Sequence, residues 1–283
     1  MKKILMAVTL LALMGCNANK NQKVSLTDMS APENETESVE NGEEEIARDP
    51  VVLDENNFPD KRFRGALCML LPIADGDIIP YEFLDEVDEL DLCGLGISSL
   101  KGIEHFKALE QLDCSSNQII TCDLSQNTEL RVLVCEKNKL TSLDLSNNEK
   151  LQQLNCQDNR LTALDVTFQE DLTHLICDNN ELGQIDVSHN TKLVKLSCND
   201  CELTVLDVSS NPNLVDLYCN GNKFKELNLT NNTKLENLYC EKPLFRSLDI
   251  AYPPNKPDLG KGSQTRTGLT LIWHKKHYKM PKR

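Results

Sequence analysis

A cysteine recurs every 21 residues along the middle of this chain, and the series runs through eight positions without interruption. Leucines keep the same step, five residues and two residues before each cysteine from Cys114 onwards. A register this long does not arise by chance, so residues 90–250 are predicted to be one unit stacked upon itself. The eight cysteines are Cys93, Cys114, Cys135, Cys156, Cys177, Cys198, Cys219 and Cys240.

Each unit has the pattern of a β-strand that ends in a turn. Leu154 and Cys156 alternate with polar residues, as in a strand with one buried face. Asn159 follows, and an inward asparagine can satisfy backbone groups that a bend leaves unpaired. A coil of 21 residues has no room for a full helix on its return side, so a short extended or 3₁₀ segment is expected there. The first asparagine column is Asn117, Asn138, Asn159, Asn180 and Asn222, and the second is Asn127, Asn148, Asn190, Asn211 and Asn232.

This pattern resembles the leucine-rich-repeat family over roughly residues 87–250. More narrowly, it is similar to internalin-type surface proteins whose repeats carry cysteine at an inward strand position. The stretch from Ile97 to Phe106 resembles the first repeat of such proteins. The resemblance implies a leucine-rich-repeat solenoid with a curved parallel β-sheet on the concave face and short extended or 3₁₀ segments on the convex face. It also implies a role in recognition.

The spacing of the cysteines argues against disulfides between neighbouring coils. Side chains on in-register parallel strands point the same way and lie about 4.8 Å apart. A disulfide needs Cβ atoms about 3.8 Å apart whose bonds turn towards each other. We therefore predict buried free thiols that act as small hydrophobes, and no metal, because parallel thiols do not converge.

Two further cysteines lie between the positions of this series. Cys122 stands where other units place leucine and is expected to fill the core. Cys201 replaces a column asparagine and is expected to lose that residue's backbone hydrogen bonds. It also forms a Cys-x-x-Cys pair with Cys198, but a repeat coil lacks the helix start that lowers a thiol pKa, so no redox role is predicted.

The charge of the chain is strongly acidic and unevenly distributed. The formal net charge is -14, which argues against nucleic acid as a partner. Residues 17–50 carry nine acids against three bases and are predicted to belong to a disordered acidic tether over 16–50. By contrast, residues 252–283 carry eight bases against one acid.

The first residues have the features of a targeting segment. Lys2 and Lys3 precede an apolar run that ends in Leu-Met-Gly-Cys16. This ending resembles the lipobox of bacterial lipoproteins, and it implies a signal peptide over 1–15 and lipidation of Cys16. An ordinary secretory signal with a chance cysteine is the alternative. The lipoprotein interpretation predicts a chain anchored to the outer membrane through its lipid.

Residues 51–89 are predicted to form a small N-terminal helical cap, because the end coil of a solenoid would otherwise expose its apolar face. The segment after Phe58 is typical of a turn into a short helix that carries Phe63, Leu67 and Leu70.

An acidic loop follows this predicted helix. Asp75, Asp77 and Glu82 resemble the second half of an EF-hand loop, with Gly76 at the sharp turn. The preceding acidic positions hold Leu71 and Ile73, so a degenerate structural loop is predicted. The three carboxylates are kept only as weak calcium candidates, and no cofactor is predicted.

Residues 251–283 are predicted to form a C-terminal cap and a basic tail. Pro253 and Pro254 break the repeat, and the stretch Gly268–Trp273 is typical of a strand that covers the last coil. His274 and His277 open the basic tail and are predicted to be solvated rather than metal-bound. The tail could contact anionic lipid or polysaccharide, or it could protect a sheet edge from aggregation.

The outward strand positions are free of folding duty and are the candidate binding residues. Tyr218 and Tyr239 are predicted to be stacked neighbours on adjacent strands, with Val134, His174 and Ile176 on the same face. The alternative is that Val, Ile and Tyr occur there only because they favour strands.

The sequence predicts a binding protein rather than an enzyme. None of its five histidines stands beside Ser or Cys in a nucleophile motif, and no glycine-rich phosphate loop occurs. The leading hypothesis is a monomeric adhesin or interaction module that recognises an extracellular or envelope protein or glycan. The alternative is a structural or assembly scaffold inside the envelope. Whether the anchored chain faces the cell surface or the periplasm stays open.

Overall fold

The computed structural model describes residues 49–240 and 247–250. The predicted signal peptide, the lipid site Cys16, most of the tether, and the C-terminal cap with His274 and His277 lie outside these residues. The cap region contains β1 (Val51–Val52), α1 (Lys61–Leu70), β2 (Ile78–Ile79) and α2 (Tyr81–Glu86). The repeat strands are β3 (Glu89–Asp91), β4 (Gln111–Asp113), β5 (Val132–Val134), β6 (Gln153–Asn155), β7 (His174–Ile176), β8 (Lys195–Ser197), β9 (Asp216–Tyr218), β10 (Glu226–Leu229), β11 (Asn237–Tyr239) and β12 (Ser247–Ile250).

Eight of these strands form one parallel sheet, in the order β11-β9-β8-β7-β6-β5-β4-β3. Each strand from β5 onwards pairs in register with the strand one coil earlier, so that Leu133 lies opposite Leu154 and Leu154 opposite Leu175. The predicted solenoid with one parallel sheet is therefore confirmed. β10 and β12 form a separate parallel pair, and β1 pairs antiparallel with β2.

The first coil is one residue longer than the others, and this corrects the predicted place of Cys93. β3 pairs with β4 so that Leu90 lies opposite Leu112, a step of 22 residues. The N–H of Leu92 donates to Asp113 O at 2.7 Å, as the N–H of Cys114 donates to Val134 O at 2.8 Å. Leu92 thus occupies the inward position of the series, and Cys93 lies one residue further on and only half-buried.

The additional residue lies at Gly102, in the return segment of the first coil. Before it, Ile97 N–H donates to Asn117 Oδ1 across a separation of 20 residues, whereas the same bond elsewhere spans 19. Gly102 has a φ of 107°, and a 3₁₀ helix over Ile103–His105 begins directly after it. A sequence pattern that aligns cysteines cannot detect this insertion, because Cys93 happens to keep the step of 21.

The core is a column of leucine and cysteine side chains contributed coil by coil. The leucines of β4 to β9 and β11 are buried, as are the seven cysteines from Cys114 to Cys240 in the series. After each strand the backbone turns through a residue with positive φ. These residues are Gly94, Ser116, Lys137, Asp158, Asn179, Asp200 and Gly221.

The first asparagine column behaves as predicted. Asn180 Nδ2 donates to Cys156 O at 3.0 Å and to Cys177 O at 2.9 Å, and its Oδ1 accepts from Leu161 N–H at 2.9 Å. One side chain therefore joins its own coil to the coil before it. Because the same bonds recur from coil to coil, the column fixes the stacking distance as well as the turn.

The second column uses its amide groups in a different way. Asn190 Nδ2 donates to Val166 O at 2.8 Å and to Gln169 O at 2.9 Å, both in the preceding coil. Gln169 takes the asparagine position in one coil, and its longer side chain donates to Leu145 O at 2.8 Å. The carbonyl oxygens of the six column residues are buried and accept no hydrogen bond from the described residues.

The cap packs against the first coil through Phe58. Its ring is fully buried, and its centroid lies 5.7 Å from that of Phe63 and 6.4 Å from that of Phe106. Phe63 and Leu67 of α1 are buried as predicted. Leu70 is 43% exposed instead, because α1 ends there and its last turn lies beyond the first coil.

Asp60 joins the cap to the repeat sheet region with both carboxylate oxygens. Oδ1 accepts from Arg62 N–H at 2.8 Å and Phe63 N–H at 3.1 Å, which caps α1. Oδ2 accepts from Ser98 N–H and Ser98 Oγ, both at 2.7 Å, and from Ser99 N–H. Burial opposes ionisation, but these hydrogen bonds outweigh it and lower the Asp60 pKa below its ordinary value.

Replacing Asp60 by Ala is expected to lower the free energy of unfolding by about 2 kcal/mol, because it removes a helix cap and the cap-to-coil bonds together. A lowered folded pKa means that the contribution of Asp60 is present above the unfolded pKa and is lost as the pH falls through the folded value. Urea unfolding at pH 7 and pH 2.5 measures this. The difference between wild type and variant should shrink at the lower pH, and an equal difference at both would contradict the assignment.

Candidate binding face of the repeat sheet

Two rows of side chains cross the outward face of the eight-stranded sheet. One row consists of the first residue of each strand and the other of the third residue, while the middle leucine points inward. We call the third-residue row the outer row. In strand order it consists of Asp91, Asp113, Val134, Asn155, Ile176, Ser197, Tyr218 and Tyr239.

The predicted tyrosine stack is confirmed. The Tyr218 and Tyr239 rings lie 4.7 Å apart between centroids with an angle of 4° between their planes. Lys195 Nζ lies 5.6 Å from the Tyr218 ring centroid, over the ring. Tyr239 is 41% exposed and Tyr218 is half-buried. A rigid aromatic pair with accessible edges is therefore present at the C-terminal end of the sheet.

The other predicted contact residues lie on the same face but are less exposed than the sequence suggested. Val134 and Ile176 are half-buried members of the outer row, separated by Asn155. His174 is the first residue of β7, and its Nδ1 lies 3.0 Å from Thr173 Oγ1. Burial and the nearby Lys195 lower the His174 pKa, so the ring is neutral at pH 7.

A polar network, which the sequence reasoning missed, borders the outer row. Glu136 accepts from Asn155 Nδ2 and Gln157 Nε2, each at 2.6 Å. Asp178 accepts from Ser197 Oγ at 2.8 Å and from Asn199 N–H at 2.6 Å. These residues stand one coil apart, so a comparison of outward positions between neighbouring repeats could have revealed the pairs. Their effect is to hold the centre of the face in one geometry.

Carboxylates gather at the N-terminal end of the face. Burial raises the Glu89 pKa, and the charges of Asp88 and Asp91 raise it further. Burial also raises the Asp113 pKa, with smaller contributions from Asp91 and Glu136. Asp113 Oδ1 accepts from Ser115 N–H and Asp91 Oδ1 from Cys93 N–H. None of Glu89, Asp91 and Asp113 forms an ion pair within residues 49–240.

The inward cysteines have the chemistry of packing groups rather than of nucleophiles. Burial raises the pKa of the Cys114, Cys135 and Cys198 thiols well above the ordinary value. It raises that of Cys122 to about 12, in a side chain packed against the core as predicted. A thiol that stays protonated is a poor nucleophile and a poor metal ligand, so the series supports the fold and not a reaction.

Cys201 keeps more of the asparagine function than the sequence predicted. Its Sγ donates to Cys177 O at 3.1 Å and to Asn199 O at 3.3 Å, which replaces part of the lost amide bonding. A thiol has no carbonyl, however, so it cannot reproduce the bond that Asn180 Oδ1 accepts from Leu161 N–H in the preceding coil. The backbone responds locally, since Leu182 O here accepts from Gln184 N–H at 2.7 Å and Glu202 takes a φ of 62°.

Cys201→Asn is therefore expected to raise the free energy of unfolding by about 1 kcal/mol, because it completes the column with two stronger donors and an acceptor. Thermal and urea unfolding of the two proteins measure the gain. Cys122→Leu is the matched control, since it also replaces a thiol within a repeat by the residue that other coils use there but adds no hydrogen bond. A Cys201→Asn protein that is less stable than wild type would contradict this account of the column.

The three weak calcium candidates do not converge. Asp75 Oδ1 accepts from Arg64 Nε at 2.9 Å, and Asp77 Oδ2 accepts from Ala74 N–H at 2.8 Å. Glu82 is exposed in the first turn of α2. Gly76 turns the loop with a φ of 94°, as the loop pattern required. Within the part of the chain that the structure describes, no group of three or more such side chains could hold a metal ion.

Comparison with known proteins gives two sequence-related matches and one of fold alone. No protein-family model matches the chain. Internalin J of Listeria monocytogenes serotype 4b is 40% identical over 71 residues, which is 25% of this chain and 8% of that protein. The structure of the functional domain of InlJ from Listeria monocytogenes, which includes a cysteine ladder, matches with a TM-score of 0.67 and 41% identity. That match covers 69% of this chain and 44% of the other.

The third match is an internalin (inlF) of Listeria monocytogenes, with a TM-score of 0.53 and 22% identity over 73% of this chain and 66% of the other. The chain thus spans less than half the length of either InlJ match. Neither helix within residues 49–240 is long and apolar enough to cross a membrane. From the register of the sheet, the buried cysteine series and the InlJ comparison, the chain has an internalin-like leucine-rich-repeat fold that contains a cysteine ladder.

Proposed function

We propose that this chain binds another macromolecule through the outward face of its repeat sheet. The observation that carries the proposal is the stacked pair Tyr218 and Tyr239, which is partly exposed and plays no part in the core. Tyrosine is enriched at binding hot spots because its ring is large and rigid and its tip is polar. The similarity to internalins supports a recognition role, because these relatives have the same sheet and the same ladder.

We further propose that the chain is an envelope lipoprotein anchored to the outer membrane through Cys16. The targeting pattern of the first residues and the acidic sequence between Cys16 and the cap support this placement. On this view the repeat face meets a protein or glycan ligand as a monomeric adhesin. The rival proposal is a structural scaffold that holds another component inside the envelope.

Loss of both tyrosines is the direct test of the face. In the full chain, Tyr218→Ala with Tyr239→Ala is expected to lower the affinity for captured envelope or extracellular material by about tenfold or more, because two hot-spot side chains are removed. Gln111→Ala with Gln153→Ala is the matched control, since both are exposed side chains of the same face. Surface plasmon resonance on the immobilised proteins measures the difference. Equal binding by the tyrosine variant would remove the proposed face.

Protease treatment of intact cells separates the adhesin from the scaffold. An adhesin exposes its repeats to added protease, whereas a scaffold on the inner side is cleaved only after the cells are broken. Immunoblotting for the repeat region reads out both cases. Labelling with a radioactive fatty acid, compared with Cys16→Ser, tests the anchor independently.

A further inference from the structure

We propose that the ligand of this face is a polypeptide segment lying along the outer row. Its apolar side chains would cover Val134, Ile176 and the tyrosine pair, and its basic side chains would lie over the carboxylates of β3 and β4. This inference rests on the proposed function and narrows its ligand from a protein or glycan to a protein of stated chemistry.

The first argument comes from the orientation of the rings. Tyr218 has one face against Tyr239 and the other towards Lys195 Nζ. A sugar that binds an aromatic residue commonly lays its C–H groups flat against a ring face, which is the negative side of the quadrupole. The faces of Tyr218 are occupied, so the pair offers ring edges and phenol hydroxyls. The edges are the positive part of a ring and suit carbonyl and carboxylate oxygens, which a polypeptide supplies at every residue.

The second argument comes from the aliphatic members of the row. Val134 and Ile176 cannot form hydrogen bonds, and covering them is favourable only with other apolar surface. They alternate with Asn155 and Ser197, and Tyr218 continues the alternation. Apolar groups therefore recur every second strand, about 9.6 Å apart. A polypeptide presents apolar side chains at such intervals, whereas the outer surface of a glycan is dominated by hydroxyl groups.

The third argument is charge complementarity along the same line. The row begins with Asp91 and Asp113, beside Glu89, and these carboxylates form no ion pair within residues 49–240. Their crowding raises the pKa of Glu89 and Asp113, which shows that the charges repel one another. Lysine or arginine on the partner would relieve this repulsion. The partner should therefore be basic where it crosses β3 and β4 and apolar where it meets the tyrosines.

The length of the row sets the size of the partner segment. Eight strands are separated by seven steps of about 4.8 Å, which gives about 34 Å from Asp91 to Tyr239. An extended peptide of about ten residues spans this distance, as does a helix of about six turns. Such a segment can contact the acidic and the aromatic end at once, and this explains why the two ends must be tested together.

The test selects binders from a phage-displayed library of random 12-residue peptides against the full chain, with a printed glycan array as the rival probe. We expect enrichment of peptides that combine apolar residues with lysine or arginine. Their affinity should fall about tenfold or more in Ile176→Asp and in Asp91→Lys with Asp113→Lys, and it should fall with rising salt. Gln153→Ala should bind as wild type does. Circular dichroism checks that each variant is folded, and Ile176→Ser replaces Ile176→Asp if it is not.

The outcomes separate this inference from the proposed function. Failure to enrich peptides, or selected peptides that bind the Ile176 and charge-reversal variants as well as wild type, would overturn the inference. Glycan binding that depends on Tyr218 and Tyr239 would also overturn it, yet it would leave the binding face in place. If neither glycans nor captured material depend on the tyrosines, the proposed function fails as well.

Discussion

Gly102→Ala is expected to lower the free energy of unfolding by about 4 kcal/mol, the combined cost of backbone strain and overpacking. A Cβ on Gly102 would lie 2.1 Å from Phe58 Cδ1 and 2.4 Å from Phe58 Cε1. The Phe58 ring cannot move away, because it is fully buried between Phe63 of α1 and Phe106 of the first coil. The φ of 107° at Gly102 is, in addition, one that side chains with a Cβ rarely adopt.

Gly94→Ala is the matched control for this variant. Gly94 lies in the same coil, has a φ of 70°, and a Cβ there would meet nothing within 4 Å. Other coils place Ser116 or Lys137 at the equivalent turn, so we expect a cost of only about 1 kcal/mol, from backbone strain alone. Urea unfolding of the two variants measures the difference. Hydrogen exchange should also show faster opening of residues 51–106 in the Gly102 variant. Equal stability of the two proteins would mean that the cap does not depend on this contact.

The same glycine shows where sequence reasoning on this fold succeeds and where it fails. Periodicity predicted the parallel sheet and its register from Cys114 onwards, because each coil repeats the same inward residues and the same asparagine turns. It misplaced Cys93, because an insertion in the return segment moves the strand by one residue while the cysteine count stays unchanged. Only the pairing of Leu90 with Leu112 reveals the shift.

The candidate site was predictable to the extent that it follows from the sheet. Because outward positions on in-register strands must be neighbours, the sequence predicted that Tyr218 and Tyr239 stack. It could not predict that Lys195 lies over the Tyr218 ring, or that Glu136 and Asp178 are held by amide and hydroxyl donors. These contacts depend on side-chain rotamers, which are chosen by neighbours 19 to 21 residues away rather than by the local pattern.

Asn180→Leu is expected to lower the free energy of unfolding by about 4 kcal/mol, although leucine has nearly the same volume. The asparagine donates to Cys156 O and Cys177 O and accepts from Leu161 N–H. Leucine would leave two buried carbonyls and one buried N–H without these partners, each at a cost of about 1–3 kcal/mol. Part of this cost is recovered through the added apolar contact. The loss therefore falls on hydrogen bonding and not on packing.

Asn180→Cys gives the comparison that isolates this cause, because the chain itself carries cysteine at the next position of the column, Cys201. There the thiol donates weakly to two carbonyls, so Asn180→Cys should cost about half as much as Asn180→Leu. Urea unfolding of wild type and both variants, with hydrogen exchange at Leu161 N–H, measures the ranking. Because the amide of Leu161 loses its acceptor in both variants, its protection should fall in both, whereas the carbonyls keep a donor only in the cysteine variant. If leucine proved as stable as asparagine, packing alone would hold the coils together, and the polar column would not be what sets their register.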